Sequence, residues 1–205
     1  MLVDRVNTLA RRVPEWLVYV LGALPVPVLF YQAASGQLGF RPHEALEHAL
    51  GEIALQLVIA GLAISPLRRF AGVNLIRFRR AVGLLAFFYV CVHLLVWLLL
   101  DVQILSEVWA DILKRPYITV GMLAFVLMLP LALTSRDRVI RHMGRMWHRL
   151  HRLVYVVAVL GALHFVMLSK GFQLEPLLYL GAVIVLLSLR LIPRTSSSRR
   201  IASRA

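Results

Sequence analysis

Two histidines set in long apolar runs, His93 and His164, are the residues of this chain best placed to do chemistry. An ionisable side chain deep in an apolar span is costly unless its polar atoms are used, so such residues mark function by default. From Arg80 to His93 is 13 residues, about 20 Å of helix, and from Arg152 to His164 is 12 residues, about 18 Å. Counted from the other end, His93 is 8 residues from Asp101 and His164 is 6 from Lys170. In a hydrocarbon core about 30 Å thick, both imidazoles then lie about two-thirds of the way to the same face. Two imidazoles at one depth on different helices are what bis-histidine haem ligation needs, one ring on each side of the macrocycle. Gly161, Ala162, Ala158 and Ala86 are small residues expected to make room for it. A zinc or copper site would need three or four ligands, and only Cys91 shares that depth. The plainer alternative is that each imidazole only hydrogen-bonds a neighbouring helix.

The remaining histidines carry weaker signals. His148 and His151 stand three apart at the basic edge of the same run as His164. His148 reads as part of an interfacial collar. His151 is a candidate further haem ligand, or a wall of a flavin or quinone pocket. Its partner positions, 13 or 14 residues before His93, hold Arg80 and Arg79, which cannot ligate iron. On a straight helix His151 and His164 are about 140° apart in phase, so phase leaves the matter open. Arg77, Arg79, Arg80, His148 and Arg152 together suggest a basic pocket for a flavin phosphate or a quinone carbonyl. Alternatively these arginines only fix orientation and touch anionic lipid. His43, Glu44, Glu47 and His48 miss the zinc-protease pattern, because the histidines are five apart rather than four. They read as a solvated, amphipathic helix start. His142 reads as a loop residue, and Tyr89, Tyr155 and the methionines as packing.

The elements that must position the histidine pair follow from hydropathy. Of 205 residues 60% are hydrophobic, with mean hydropathy +0.78, which leaves too little polar surface for a soluble domain. Apolar runs of spanning length recur, and lipid-exposed backbone must be helical when barrel-type alternation is absent. The expected fold is all-α: a polytopic bundle of six transmembrane helices, near 16–34, 52–67, 81–100, 117–133, 153–168 and 176–192, forming one domain over 1–205 with a disordered basic tail at 195–205. Pro25 and Pro27 should kink the first span. The single Cys91 excludes a disulfide framework.

The net charge of +13 would suggest nucleic acid in a soluble protein, but here the basic residues fall in short blocks between spans. The N-terminus, the 68–80 and 134–152 loops and the C-terminal segment from Arg190 hold 19 basic residues, and the other three loops hold 4. That split predicts both termini on the cytoplasmic side of the membrane, with no nucleic-acid partner. The opposite loops carry Glu44, Glu47, Asp101, Glu107 and Asp111, an acidic face able to steer a soluble partner. No internal repeat is visible.

The motifs Arg79-Arg80-x-x-Gly83, Tyr89-x-x-x-His93, Trp147-His148-x-Leu150-His151-Arg152-Leu153-x-Tyr155 and His164 resemble the ferric-reductase-like transmembrane family. Leu46-Glu47-His48-x-x-Gly51 and Ser65-Pro66-Leu67-Arg68 add to the likeness, which covers nearly the whole chain. The resemblance is to the short six-span form without a flavin/NADPH domain, the haem-binding membrane subunits of bacterial periplasmic methionine-sulfoxide reductase systems. It implies haem b and FMN as cofactors, and electrons passing from the quinone pool, through a quinol or flavin donor, to a periplasmic molybdopterin-containing (MsrP-like) reductase subunit that repairs oxidised proteins. It implies His93 and His164 as haem ligands and His151 as a further haem-associated residue. Larger relatives carry a second histidine where this chain has Arg79. A membrane metal or solute transporter and a non-redox scaffold are the competing classes. The first should show paired half-helix breaks, and Pro25 and Pro27 have no counterpart.

Overall fold

The computed structural model describes residues 2–169 and 172–192, so the tail expected at 195–205 lies outside the described residues. Every regular element described is helical, in the order α1 (Leu2–Arg12), α2 (Glu15–Ala23), α3 (Pro25–Ala34), α4 (Pro42–Phe70), α5 (Arg79–Val96), α6 (Leu105–Lys114), α7 (Pro116–Leu133), α8 (Asp137–Met143), α9 (Arg145–Leu150), α10 (Leu153–Leu168) and α11 (Leu174–Leu191). A 3₁₀ turn, Ile76–Phe78, precedes α5, and a π-helical turn, Trp97–Val102, continues it. Six segments are long and apolar enough to cross a membrane: Glu15–Ala34, Pro42–Phe70, Ile76–Val102, Pro116–Leu133, Arg145–Leu168 and Leu174–Leu191. The chain is a multi-pass membrane protein. The end carrying Asp101 and Arg115 is called outer below, and the arginine-rich end inner, after the charge split.

Proline and burial explain the local departures from a plain hydropathy reading. Pro25 and Pro27 have no N–H to give, so the first span is divided into α2 and α3 at Leu24, which keeps helical angles. The second helix starts ten residues ahead of the expected 52. Leu46 and Leu50 are fully buried against Tyr89 and Val96, so the amphipathic stretch before 52 belongs to the same helix. At 29 residues, α4 is about 43 Å long and projects beyond the hydrocarbon core.

Four helices form the centre. α4 lies along α5, and α7 along α10; α5 also touches α7, and α10 touches α4. α2 and α3 pack outside α5 and α4, and α11 covers α10 and α4. Small residues allow these close approaches: Ala54, Ala81, Ala86, Ala158 and Ala162 are all buried. Leu123, Val126, Val156, Ile184 and Val185 are exposed on the outside of the bundle, as a lipid-facing surface requires.

Candidate functional site

The α4–α5 and α7–α10 pairings bring the two deep histidines together. The ring centres of His93 and His164 stand 6.3 Å apart with their planes at 84°. Each ring is held by a neighbouring helix in the same way. His93 Nδ1 lies 2.9 Å from the backbone carbonyl of Glu47 on α4, and His164 Nδ1 lies 2.7 Å from that of Tyr117 on α7. A carbonyl only accepts, so Nδ1 carries the proton and donates in both rings. Nε2 of each then keeps its lone pair, the state a metal-ligating imidazole needs, with a carbonyl behind it fixing ring orientation.

Glycine makes these contacts possible. Four residues beyond each accepting carbonyl stands a glycine, Gly51 after Glu47 and Gly121 after Tyr117. A Cβ on Gly51 would meet His93 Nδ1 and Cε1 at 3.1 Å, and one on Gly121 would meet His164 Nδ1 at 2.8 Å and Cε1 at 3.0 Å. Each imidazole therefore lies flush on a stripe of bare helix backbone.

A metal–imidazole bond is about 2 Å long and each ring centre lies about 1 Å further on, so two rings on one metal stand about 6 Å apart. The observed spacing meets this value. Among the described residues no group of three or more His, Cys, Asp or Glu is arranged to hold a metal ion. The pair thus suits an iron that brings its equatorial ligands with it, as haem does. A cavity of about 710 Å³ is lined by both rings and by Gly51, Gly121, Gly161 and Val58. That volume lies inside the range of about 300–1,000 Å³ common for cofactor and ligand sites.

The expected space-makers divide. Gly161 lines this cavity. Ala158 and Ala162 are instead packed with Leu55, Leu62 and Val183, and Ala86 with Met128 and Val157, so these alanines serve helix packing. The room comes from Gly51 and Gly121, whose importance hydropathy did not reveal. In the sequence Gly51 stood out only as part of a family-like motif, and Gly121 only as a helix-weakening residue inside an apolar run.

Three further cavity residues went unnoticed. The π-turn follows His93 by one helical turn, ends at Gln103 with a left-handed backbone (φ 59°), and carries Trp97. Such turns concentrate at functional sites. Trp97 is 6% exposed and is among the residues that line the cavity; its Nε1 is enclosed and has no hydrogen-bond partner. Arg41 and Arg115 stand at the outer mouth, beside Glu44, Glu47 and Asp101.

The inner residues are arranged differently. His151 Nε2 lies 3.1 Å from the Thr134 hydroxyl, which itself donates to the Pro130 carbonyl at 2.6 Å. The hydroxyl's proton is thereby used, so His151 Nε2 donates and Nδ1 is left as acceptor. Trp147 stacks on His151 at 3.9 Å and donates Nε1–H to the Thr134 carbonyl. Arg77 donates to the carbonyls of Ala10 and Arg11, closing the C-terminus of α1. Arg80 pairs with Asp137 and, at 4.0 Å, with Glu15. Arg79, His148 and Arg152 are exposed. Of this collar, two guanidiniums are already spent on protein groups.

Comparison with known proteins gives a consistent result. Residues 48–162 match the family described as ferric reductase like transmembrane component. The chain is 48% identical over 178 residues to the protein-methionine-sulfoxide reductase heme-binding subunit MsrQ of Agrobacterium fabrum, covering 86% of this chain and 83% of that protein. It is 49% identical over 176 residues to MsrQ of Rhizobium meliloti (85% and 82%) and 44% identical over 190 residues to MsrQ of Brucella anthropi (92% and 86%). No solved structure matches it.

Proposed function

The chain belongs to the ferric reductase-like transmembrane family, alongside the MsrQ subunits, and on that premise we propose that it is a haem b electron-transfer subunit of a methionine-sulfoxide reductase system. The observation that carries this is the His93–His164 pair, 6.3 Å between ring centres, with each Nδ1 committed to a carbonyl and each Nε2 free. These two residues would hold the haem iron. A haem held there supplies reversible one-electron exchange inside the membrane. The protein's own part is to orient both imidazoles, keep their tautomers fixed and surround the site with apolar side chains.

The site lies toward the outer end, so the acceptor is a soluble protein on that side: a periplasmic, molybdopterin-containing reductase subunit acting on protein methionine sulfoxide. The membrane is the bacterial inner membrane, with both termini cytoplasmic, and the chain forms one transmembrane domain. Electrons enter from a quinol or a reduced flavin at the inner end, where His151, with Nδ1 left as acceptor, His148, Arg79 and Arg152 are candidate contacts. FMN fits better as a diffusing donor than as a resident group, because Arg77 and Arg80 are bound to protein groups and close no phosphate cradle.

The test is reconstitution in lipid vesicles with a quinol, a periplasmic methionine-sulfoxide reductase and an oxidised peptide. Sulfoxide reduction should need the parent protein and fail with His93→Ala. Equal turnover with and without the protein would remove it from the electron path.

A further inference from the structure

We propose that α1, Leu2–Arg12, is a surface anchor for anionic phospholipid at the inner end of the bundle: its apolar edge, Leu2, Val6 and Leu9, sits among the acyl chains, and Arg5 and Arg12 beside that edge hold headgroup phosphates. This contact is independent of the haem site.

With about 100° between successive residues, α1 divides into sectors. Asn7 and Ala10 turn toward the protein. Ala10 is buried, and Asn7 makes two hydrogen bonds to the segment between α4 and α5: its Nδ2 donates to the Gly72 carbonyl at 3.1 Å, and the Asn74 N–H donates to its Oδ1 at 2.8 Å. Arg77 adds a third tie one turn further on, donating to the Arg11 carbonyl at 2.7 Å. Leu2, Val6 and Leu9 form a second sector, within about 60° of one another. The described residues leave it uncovered, with Leu2 79% and Leu9 61% exposed. Arg5 and Arg12 follow about 40–60° beyond Leu9. Both are exposed, and neither has a bonded acceptor among the described residues.

Position decides what covers the apolar edge. α1 is joined through Val13 and Pro14 to the first spanning segment, which starts at Glu15. It is bonded to the turn between the second, which ends at Phe70, and the third, which starts at Ile76. It is therefore held where three spans leave the hydrocarbon, at headgroup level. The bonded residues Asn7 and Arg11 are one turn apart, so α1 is held along its side and does not stand out into water. Phe70 and Ile76, beside the bonded turn, are exposed apolar side chains as well. An 11-residue helix is marginal in water and takes its stability from a covered face, yet only Ala10 is buried. A leucine edge bordered by arginines suits a membrane surface, with the apolar side chains immersed and the guanidiniums reaching back to phosphate. The charge selects anionic lipid: α1 carries Arg5, Arg11 and Arg12 against Asp4, and Arg68 and Arg69 close the neighbouring span.

The experiment is a depth measurement on the full-length protein in lipid nanodiscs, which leave both membrane faces open to solvent. A nitroxide label is attached through Leu9→Cys on the apolar edge or through Thr8→Cys on the solvent side, each in a Cys91→Ala background. Electron paramagnetic resonance compares collisions with oxygen, which partitions into lipid, and with a nickel complex that stays in water. In discs of phosphatidylcholine and phosphatidylglycerol in equal parts, the label at position 9 should meet mainly oxygen and the label at position 8 mainly nickel. In phosphatidylcholine alone the label at position 9 should lose much of that preference, and Arg5→Gln combined with Arg12→Gln should cause the same loss in the mixed discs. Equal access of nickel to both labels in the mixed discs would overturn the anchor. So would a label at position 9 shielded from both reagents, as a second copy or a soluble protein would shield it, or an immersion that is the same with and without phosphatidylglycerol.

Discussion

At the scale of single residues, the site depends on where Cβ atoms are missing. His93 and His164 could be found in the sequence because a lone imidazole in an apolar run stands out and because their depths match. Their carbonyl partners could not be found. Which helix lies beside which, and at what rotation, is fixed only by packing, and Glu47 and Tyr117 hold the rings through main-chain atoms that carry no side-chain signature. Gly121 looked like an ordinary weak point in a helix, and Gly51 figured only as one position of a family-like motif. A substitution separates their two roles. Gly121→Ala should raise the intrinsic stability of α7 by about 0.5–1 kcal/mol, the usual gain of alanine over glycine in a helix. The new methyl group would stand 2.8 Å from His164 Nδ1 and push the ring off its carbonyl. The expected outcome is an apoprotein at least as heat-stable as the parent that has lost most of its low-spin haem. Gly51→Ala, at 3.1 Å, should lose less. Haem-to-protein ratio and apoprotein melting temperature measure both effects, and full haem content in Gly121→Ala would refute the packing argument.

At the scale of elements, proline and arginine answer one another. Pro66 inside α4 has no N–H for the carbonyl of Leu62 four residues earlier. Arg190 of α11 fills that vacancy, donating from Nη2 to the Leu62 carbonyl at 2.7 Å and from Nη1 to the Tyr155 hydroxyl at 2.8 Å. One guanidinium thus joins α4, α10 and α11. By charge counting alone Arg190 belonged with the inner basic residues. Its structural work was illegible because a missing backbone donor is noticed only once the neighbouring helix is known. Arg190→Leu should destabilise the bundle by about 1–3 kcal/mol, the range for stranding a buried acceptor. Pro66→Ala restores the N–H, so the double variant should recover much of that loss. Strictly additive effects in a denaturant titration would show that the two positions are not coupled. Arg77 is another tie of this class. Arg77→Gln should loosen α1, seen as faster proteolysis between α1 and α2, and leave haem content unchanged, since its partners are the carbonyls of Ala10 and Arg11. Loss of haem in that variant would mean that the inner collar supports the site directly.

For the whole molecule, hydropathy was the strongest signal. Six spanning helices in an all-α bundle could be read from the lengths of the apolar runs, because lipid leaves the backbone few alternatives. Two features were beyond it. The π-turn after α5 has no sequence mark, and the parallel between the α4–α5 and α7–α10 pairs, a histidine on one helix against a glycine on the other, shows only once the helices are paired. The charge split predicts a topology that fusions can check: reporters at Gly36 and Asp111 should signal the periplasm, and those at Val73 and Arg141 the cytoplasm. Reversed signals would also reverse the direction of electron flow, since the histidine pair lies near the end bearing Asp101 and Arg115. What most needs testing is that one iron is held between His93 and His164. The direct measurement is the visible and electron-paramagnetic-resonance spectrum of the detergent-purified protein beside His93→Ala and His164→Ala. A six-coordinate, low-spin b-type haem in the parent, with most haem lost or turned high-spin in each variant, is the expected result. An unchanged low-spin spectrum in both variants would contradict it.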